Sequence, residues 1–252
     1  MKKITFISFI ILGFINISEA STRSNVKIIE ASENIRFLSQ KIAKEYLYLY
    51  YNPKKISLSN RLSQNMKKLE NNIQTIALNT QNDESKNILN FLRYTNEEIK
   101  TLLSQKTDND KSILILDYSE TFVEAANSIQ YLHKYNFSNE EKMLMNLKEL
   151  EYLLERVSKY YMASILNLNK ISNTQHMKDA LFNIEKILTI IKKYSYSKEM
   201  GKEQRRIITY WKNNKKILKK SSKLSVPNLL SIFIKDFQES IKKLELYHKK
   251  NQ

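Results

Sequence analysis

The sequence predicts an all-α protein, two tandem antiparallel four-helix bundles behind a signal peptide, and three observations predict it. The 252 residues include only two glycines and two prolines. That is too few for the positive-φ turns of a β-rich fold, and it permits long uninterrupted helices. Apolar residues recur in steps of three and four along most of the chain, the spacing of one helix face. Finally, the segment Ile35 to Tyr46 recurs, blurred, at an offset of 115 residues: Ile35 falls on Leu150, Phe37 on Tyr152, Leu38 on Leu153, Ile42 on Val157, Lys44 on Lys159 and Tyr46 on Tyr161. The same offset carries Ile115, Phe122, Glu124, Ile129 and His133 onto Leu230, Phe237, Glu239, Leu244 and His248. Two distant segments sharing one offset point to a folding unit used twice.

The elements follow in order. Apolar residues at 28, 31, 35, 38, 42, 46 and 49 predict a first helix over Val26 to Tyr50, ended by Asn52-Pro53. Leu58, Leu62, Met66, Leu69, Ile73 and Ile76 predict a second over Ser57 to Leu78, and the polar run Asn79 to Glu84 turns the chain. A third covers Ser85 to Ser104, and a fourth covers Lys111 to Tyr135 beyond the breaker Thr107-Asp108-Asn109-Asp110. Short polar loops force antiparallel neighbours. Ser138-Asn139-Glu140-Glu141 has the spacing of a capping box, so a fifth helix starts there and runs to Leu168, either continuous with the fourth or kinked near Asn136. A sixth is expected over Thr174 to Tyr194, a seventh over Lys198 to Ser221, and an eighth from Val226-Pro227, where proline suits the first turn. The domains read as a signal peptide over 1–20, a first bundle over 21–136 and a second over 137–252.

Lys2 and Lys3 precede an apolar run from Ile4 to Ile17, and Ser18-Glu19-Ala20 places small residues before a cut at Ala20-Ser21, the pattern of a secretory leader. The run is roughly 14 residues, short of the ~20 that span a bilayer. The expectation is a periplasmic protein, membrane-anchored if the leader is retained. Losing Lys2, Lys3 and Glu19 would lower the formal net charge from +16 to +15. A basic balance raises the question of nucleic acid, but export and the spread of lysines over every helix argue against that partner. The densest basic segment, Lys215 to Lys223, stands at the end of a helix, where cations complement the dipole. There is no cysteine, so no disulfide supports an exported fold and the apolar core must hold it. No metal-ligand spacing, nucleophile elbow or glycine-rich phosphate loop occurs, so neither an enzyme nor a cofactor is expected. His133 and His248 read as cations at helix ends, Glu140 and Glu141 as solvated, and Trp211 as part of the second core.

The first helix carries Arg36, Phe37, Leu38, Ser39, Gln40, Lys41, Ala43 and Lys44. This run resembles the first helix of the PilJ-type sensory domain, the periplasmic input module of type IV pilus chemotaxis transducers, related to the input domain of nitrate/nitrite sensor kinases. The resemblance covers about twenty residues at motif quality. It departs from the family upstream of the arginine, where an asparagine and a small residue followed by glycine are usual and this chain has Glu30 and, at the glycine position, Glu33; the second copy has Glu151, Leu154 and Glu155 in place of the arginine, serine and glutamine. It implies a free-standing sensory or ligand-binding protein that serves a membrane transducer or sensor kinase and pairs as a homodimer through its first helices. Ser32, Arg36 and Ser39 share one stripe, with Gln40 one turn beyond Arg36. A guanidinium flanked by hydroxyls suits a planar oxyanion such as nitrate or a carboxylate, and the resemblance implies a nitrate- or nitrite-like one. These four residues are therefore the expected ligand site, with Arg36 on an exposed face. The alternative is a helical envelope adaptor without a small ligand.

Overall fold

The computed structural model describes the backbone of residues 2–220 and 227–251 and the side chains of 23–216 and 227–251. It contains α1 (Lys2–Tyr51), α2 (Ile56–Asn79), α3 (Asp83–Leu103), α4 (Asn109–Leu132), α5 (Asn139–Ile165), α6 (Lys170–Lys193), α7 (Met200–Lys220) and α8 (Pro227–Lys250), with no strand among the described residues. The all-α expectation holds, and most helix limits fall within a few residues of those read from apolar spacing. The side chains of residues 1–22, where a leader is expected, and of the basic segment beyond residue 216 lie outside the described residues. Among the described residues no helix is long and apolar enough to cross a membrane.

Local chemistry sets the helix ends. The side chains of Asn82 and Asp108 accept from the amides of Ser85 and Lys111, and Ser138 and Glu141 form the full capping box. Each satisfies backbone donors that the first helical turn leaves open. The chain leaves the helical path between Leu132 and Asn139, so α4 and α5 are separate helices. In the α5–α6 loop, Asn167 and Asn169 take positive φ of 59° and 42°. Asparagine tolerates the left-handed region better than most residues, and this turn is built without glycine.

Packing is pairwise and regular. α1 lies against α2, α4 and α5, and α3 lies against α2 and α4. In the second half α5 lies against α6 and α8, and α7 against those same two helices. Glu45 meets Arg61 and Asn65, whereas Asn34 meets Asn72, so α2 runs antiparallel to α1. Gln40 meets Ser119 and Glu33 meets Gln130, so α4 is antiparallel to α1 as well. α5 and α8 have the same relation, through Glu155 with Gln238 and Glu140 with His248. By contrast Asn34, Arg36 and Lys44 of α1 meet Lys148, Glu149 and Glu155 of α5 in ascending order, so these two helices are parallel.

The apolar side chains form two clusters. One joins α1 to α4 around Ile35, Ile42, Leu69, Leu92, Phe122 and Ile129. The other centres on α5 to α8, with Leu150, Tyr161, Ile184, Trp211 and Phe237, but also takes in Leu47, Tyr48, Leu58, Leu116 and Val123. The second cluster therefore runs on into the first half at one end. Tyr48 is fastened there by donating to the Pro227 carbonyl at 2.6 Å. Shifted by 115 residues, α2 would span 171–194 and α3 198–218; α6 and α7 span Lys170–Lys193 and Met200–Lys220.

Candidate functional site at the seam between α1 and α5

The faces that α1 and α5 turn to each other carry charge rather than a continuous apolar stripe. Arg36 places Nη1 at 3.0 Å from Glu33 Oε1 and Nη2 at 2.6 Å from Glu149 Oε2, with its guanidinium 4.3 Å from the centre of the Tyr152 ring. Lys44 reaches Glu155 Oε2 at 2.6 Å, and Gln238 donates to the other oxygen of Glu155 at 2.9 Å. Glu120 of α4 is held by Lys159, by Arg156 at 2.7 Å and by Gln40 at 3.2 Å. Lys159 also donates to the Ser119 hydroxyl at 2.9 Å. Lys159, Glu155 and Gln40 are wholly enclosed.

Burial disfavours every one of these charges, and the partner decides which survives. Burial works against ionised Arg36, but Glu33 and Glu149 outweigh it and hold the guanidinium above its ordinary value. Glu149 goes up, through burial and the neighbouring Glu33, because two acids share one arginine there. Burial would raise Glu120, yet Lys159 and Arg156 bring it down to about 2. Burial brings Lys159 down to about 8 against the pull of Glu120. The partners differ because Lys159 is fully enclosed whereas the Glu120 side chain is 31% exposed. At neutral pH the pair is ionised.

The four residues expected to bind an anion are thus together on α1, but they face inward. Arg36 is buried rather than exposed, because α5 covers its face of the helix. Ser32 and Ser39 donate to the carbonyls of Ile28 and Arg36 on their own helix, and Gln40 donates to the Ser119 carbonyl. Both Arg36 Nη groups are engaged by carboxylates, so an incoming anion would have to displace Glu33 or Glu149. The residues that sequence reasoning missed are Glu120, Glu149, Tyr152, Glu155 and Lys159. All but Glu120 and Glu149 lie at 115-shifted positions of the α1 motif, in the copy that read as degraded. Its exchange of glutamine for glutamate at 155 was the available signal, since that carboxylate answers Lys44.

The two histidines are not helix-end cations of the ordinary kind. His133 Nε2 lies 3.1 Å from Thr80 Oγ1 and 3.0 Å from Ser85 Oγ, with Nδ1 3.0 Å from Asn25 Oδ1. Burial holds His133 below its usual value, so it serves as a neutral tie between α1, the α2–α3 loop and α4. His248 repeats the plan: Nε2 lies 2.7 Å from the Tyr196 hydroxyl and Nδ1 pairs with Glu140. Glu140 is therefore a partner rather than a free solvated acid, and Glu141 is spent on the cap. Asn25 and Glu140, like the two histidines, differ by 115 in number.

Beside the seam, α1, α2, α5 and α8 enclose a cleft of about 340 Å³ lined by Asn34, Lys41, Lys68, Glu151, Lys242 and Glu245 among others. Among the described residues no three His, Asp or Glu side chains are grouped to hold a metal ion. No protein-family model, curated protein or solved structure matches this chain.

Proposed function

We propose that the protein is an exported, free-standing sensory or ligand-binding module made of two antiparallel four-helix bundles, 21–136 and 137–252, joined through their parallel first helices. The single observation that carries this reading is the buried ionic seam between α1 and α5. A buried ion pair adds little net stability over an apolar contact, yet it fixes register, because a displaced charge is left unpaired in a low dielectric. Helices held this way have discrete positions, and a charged ligand reaching the seam changes which position is favoured. This is what a module needs if it passes occupancy on to a membrane transducer or sensor kinase. The resemblance of the α1 motif to PilJ-type input helices supports the same class. In this reading the pairing of first helices is internal, so one chain supplies what a homodimer would.

A small oxyanion such as nitrate is the ligand that the resemblance implies, but the engagement of Arg36 by Glu33 and Glu149 favours a second reading, a helical envelope adaptor with no small ligand. The two separate in a thermal-shift screen of the purified protein against nitrate, nitrite, short carboxylates and small amino compounds. A ligand that binds only the folded state must raise the melting temperature. A concentration-dependent rise with any of them supports the module, and a flat response to all of them moves the assignment to the adaptor.

A further inference from the structure

The cleft beside the seam has an acidic floor and a basic rim. Glu151 of α5 and Glu245 of α8 are only 8% and 9% exposed, and the Oε1 atom of each is buried without a hydrogen-bond partner. A carboxylate oxygen in that state is costly, since no protein donor replaces the hydration it has lost. Both residues line the cleft. The exposed side chains of Lys68 and Lys242 stand at its mouth, while Lys41 and Lys148 are half-buried along its wall. Lys148 is turned toward Asn34 Oδ1 at 3.4 Å, and Lys41 stands 5.3 Å from the Phe37 ring centre.

We infer that this cleft binds a small zwitterion of the free amino-acid class, its ammonium seated between Glu151 and Glu245 and its carboxylate held by Lys68 and Lys242. An ammonium brings three donors, enough to satisfy both orphaned oxygens, and the outward carboxylate meets lysines that retain partial solvation. A plain anion fails on the floor, where it meets two acids; a plain cation leaves the rim unanswered. The volume admits a small amino acid but not a folded partner. Because the cleft touches α1 and α2 on one side and α5 and α8 on the other, an occupant bridges the two halves across the seam.

The floor also couples binding to protons. Burial raises both Glu151 and Glu245, and Glu245 adds to it at Glu151, against Lys148 and Lys242 near each of them and Lys249 beside Glu245; Glu155 adds negative charge at Glu151 and Glu30 at Glu245. Glu151, raised to about 8, thus holds a proton at neutral pH, and an arriving ammonium expels it.

This inference rests on the ligand-binding reading above, and its test tells the two apart. The full-length protein is titrated calorimetrically with glycine, L-alanine, β-alanine and L-serine, each to about 10 mM, a concentration at which even a millimolar site responds. Propionate and ethylammonium, each carrying half of the recognised charge, and nitrate are run in parallel. The expected result is saturable binding of at least one amino acid, with both half-ligands at least tenfold weaker and a heat that varies with buffer ionisation enthalpy as the proton leaves. Glu151→Gln and Glu245→Gln should each lower amino-acid affinity at least tenfold. Lys242→Gln, at an exposed position that leaves folding intact, should weaken the amino acid severalfold and leave ethylammonium unchanged. Binding of nitrate or propionate alone overturns the zwitterion site and keeps the ligand-binding module. Equal amino-acid affinity in wild type, Glu151→Gln and Lys242→Gln overturns the site as well. Silence toward every probe overturns both.

Discussion

Lys44 of α1 and Glu155 of α5 meet at 2.6 Å, the carboxylate wholly enclosed and the ammonium side chain 14% exposed. Burial alone would raise the Glu155 carboxyl, yet Lys44 and then Lys41 hold it below its ordinary value, so it stays ionised in the interior. An enclosed carboxylate of this kind ties the seam to one arrangement, because sliding α1 along α5 would strand it.

Lys44→Met should therefore cost about 3–5 kcal/mol, the usual loss when one member of a buried pair is removed. The double variant Lys44→Met with Glu155→Leu should recover most of it, since replacing both charges by apolar groups is close to neutral. Urea denaturation of the four members of this cycle measures the coupling. Additive losses would mean the two residues do not act as a pair. Because the folded-state value of Glu155 is lowered, its contribution is present above the ordinary 4.5 and is lost as pH falls through the lowered value.

Arg36→Ala should lower stability by about 2–4 kcal/mol without any ligand present, because the half-buried Glu149 loses its ion-pair partner and the enclosed Glu33 is left with the neutral Gln130 amide in place of a cation. Arg36→Lys should recover only part, since a single ammonium cannot engage two carboxylates through a planar fork. Thermal melts in ligand-free buffer decide this. An unchanged melting temperature would place Arg36 on the exposed face that periodicity alone assigns to it.

Glu151→Gln should stabilise the protein at alkaline pH. Burial and Glu245 move the Glu151 carboxyl from 4.5 up to about 8. Between those values the unfolded chain is ionised while the folded one keeps its proton, so the unfolded state binds fewer protons and stability falls as pH rises. The glutamine variant lacks this slope. Its advantage should be small near pH ~5 and reach about 1–3 kcal/mol near pH ~8, the size of a typical burial penalty for a charge relieved in part. Urea midpoints across that range test the slope, and parallel curves for the two proteins would rule out a perturbed Glu151.

The protein should sediment as a single chain. α1 is flanked by α2, α4 and α5, so the helix face that would pair with a second copy is occupied. Sedimentation equilibrium at micromolar concentration would give the single-chain mass. A stable dimer would require another interface or an open seam.

The helices were legible because their signals are local. Steps of three and four mark the buried faces of α2 and α4, and Ser138 with Glu141 announces the start of α5 four residues ahead of its first buried turn. The repeat offset matches His133 with His248, and each is held by a hydroxyl at Nε2, although both read as helix-end cations. The surroundings of Arg36 were not legible. Its stripe of Ser32, Ser39 and Gln40 is polar, and a polar stripe reads as a wet surface unless the opposing helix is known. The answering residues, Glu149 and Tyr152, lie more than a hundred positions away, and Glu151 and Glu155 read as damage to a motif rather than as its complement. Long-range charge pairing has no periodicity to detect.

The parallel course of α1 and α5 has a mechanical corollary. With α8 antiparallel to α5, the last turn of α8 returns to the level at which the described side chains of α1 begin, and Lys249 pairs with Glu30 there. A force drawing residue 23 and residue 251 apart would act across the helices rather than along them. It would peel α8 from its neighbours one turn at a time, starting at the contacts of His248 with Glu140 and Tyr196. A handle fixed in the α1–α2 loop, at the opposite pole, and pulled against residue 251 would instead load the bundle along its length, where many contacts must yield together.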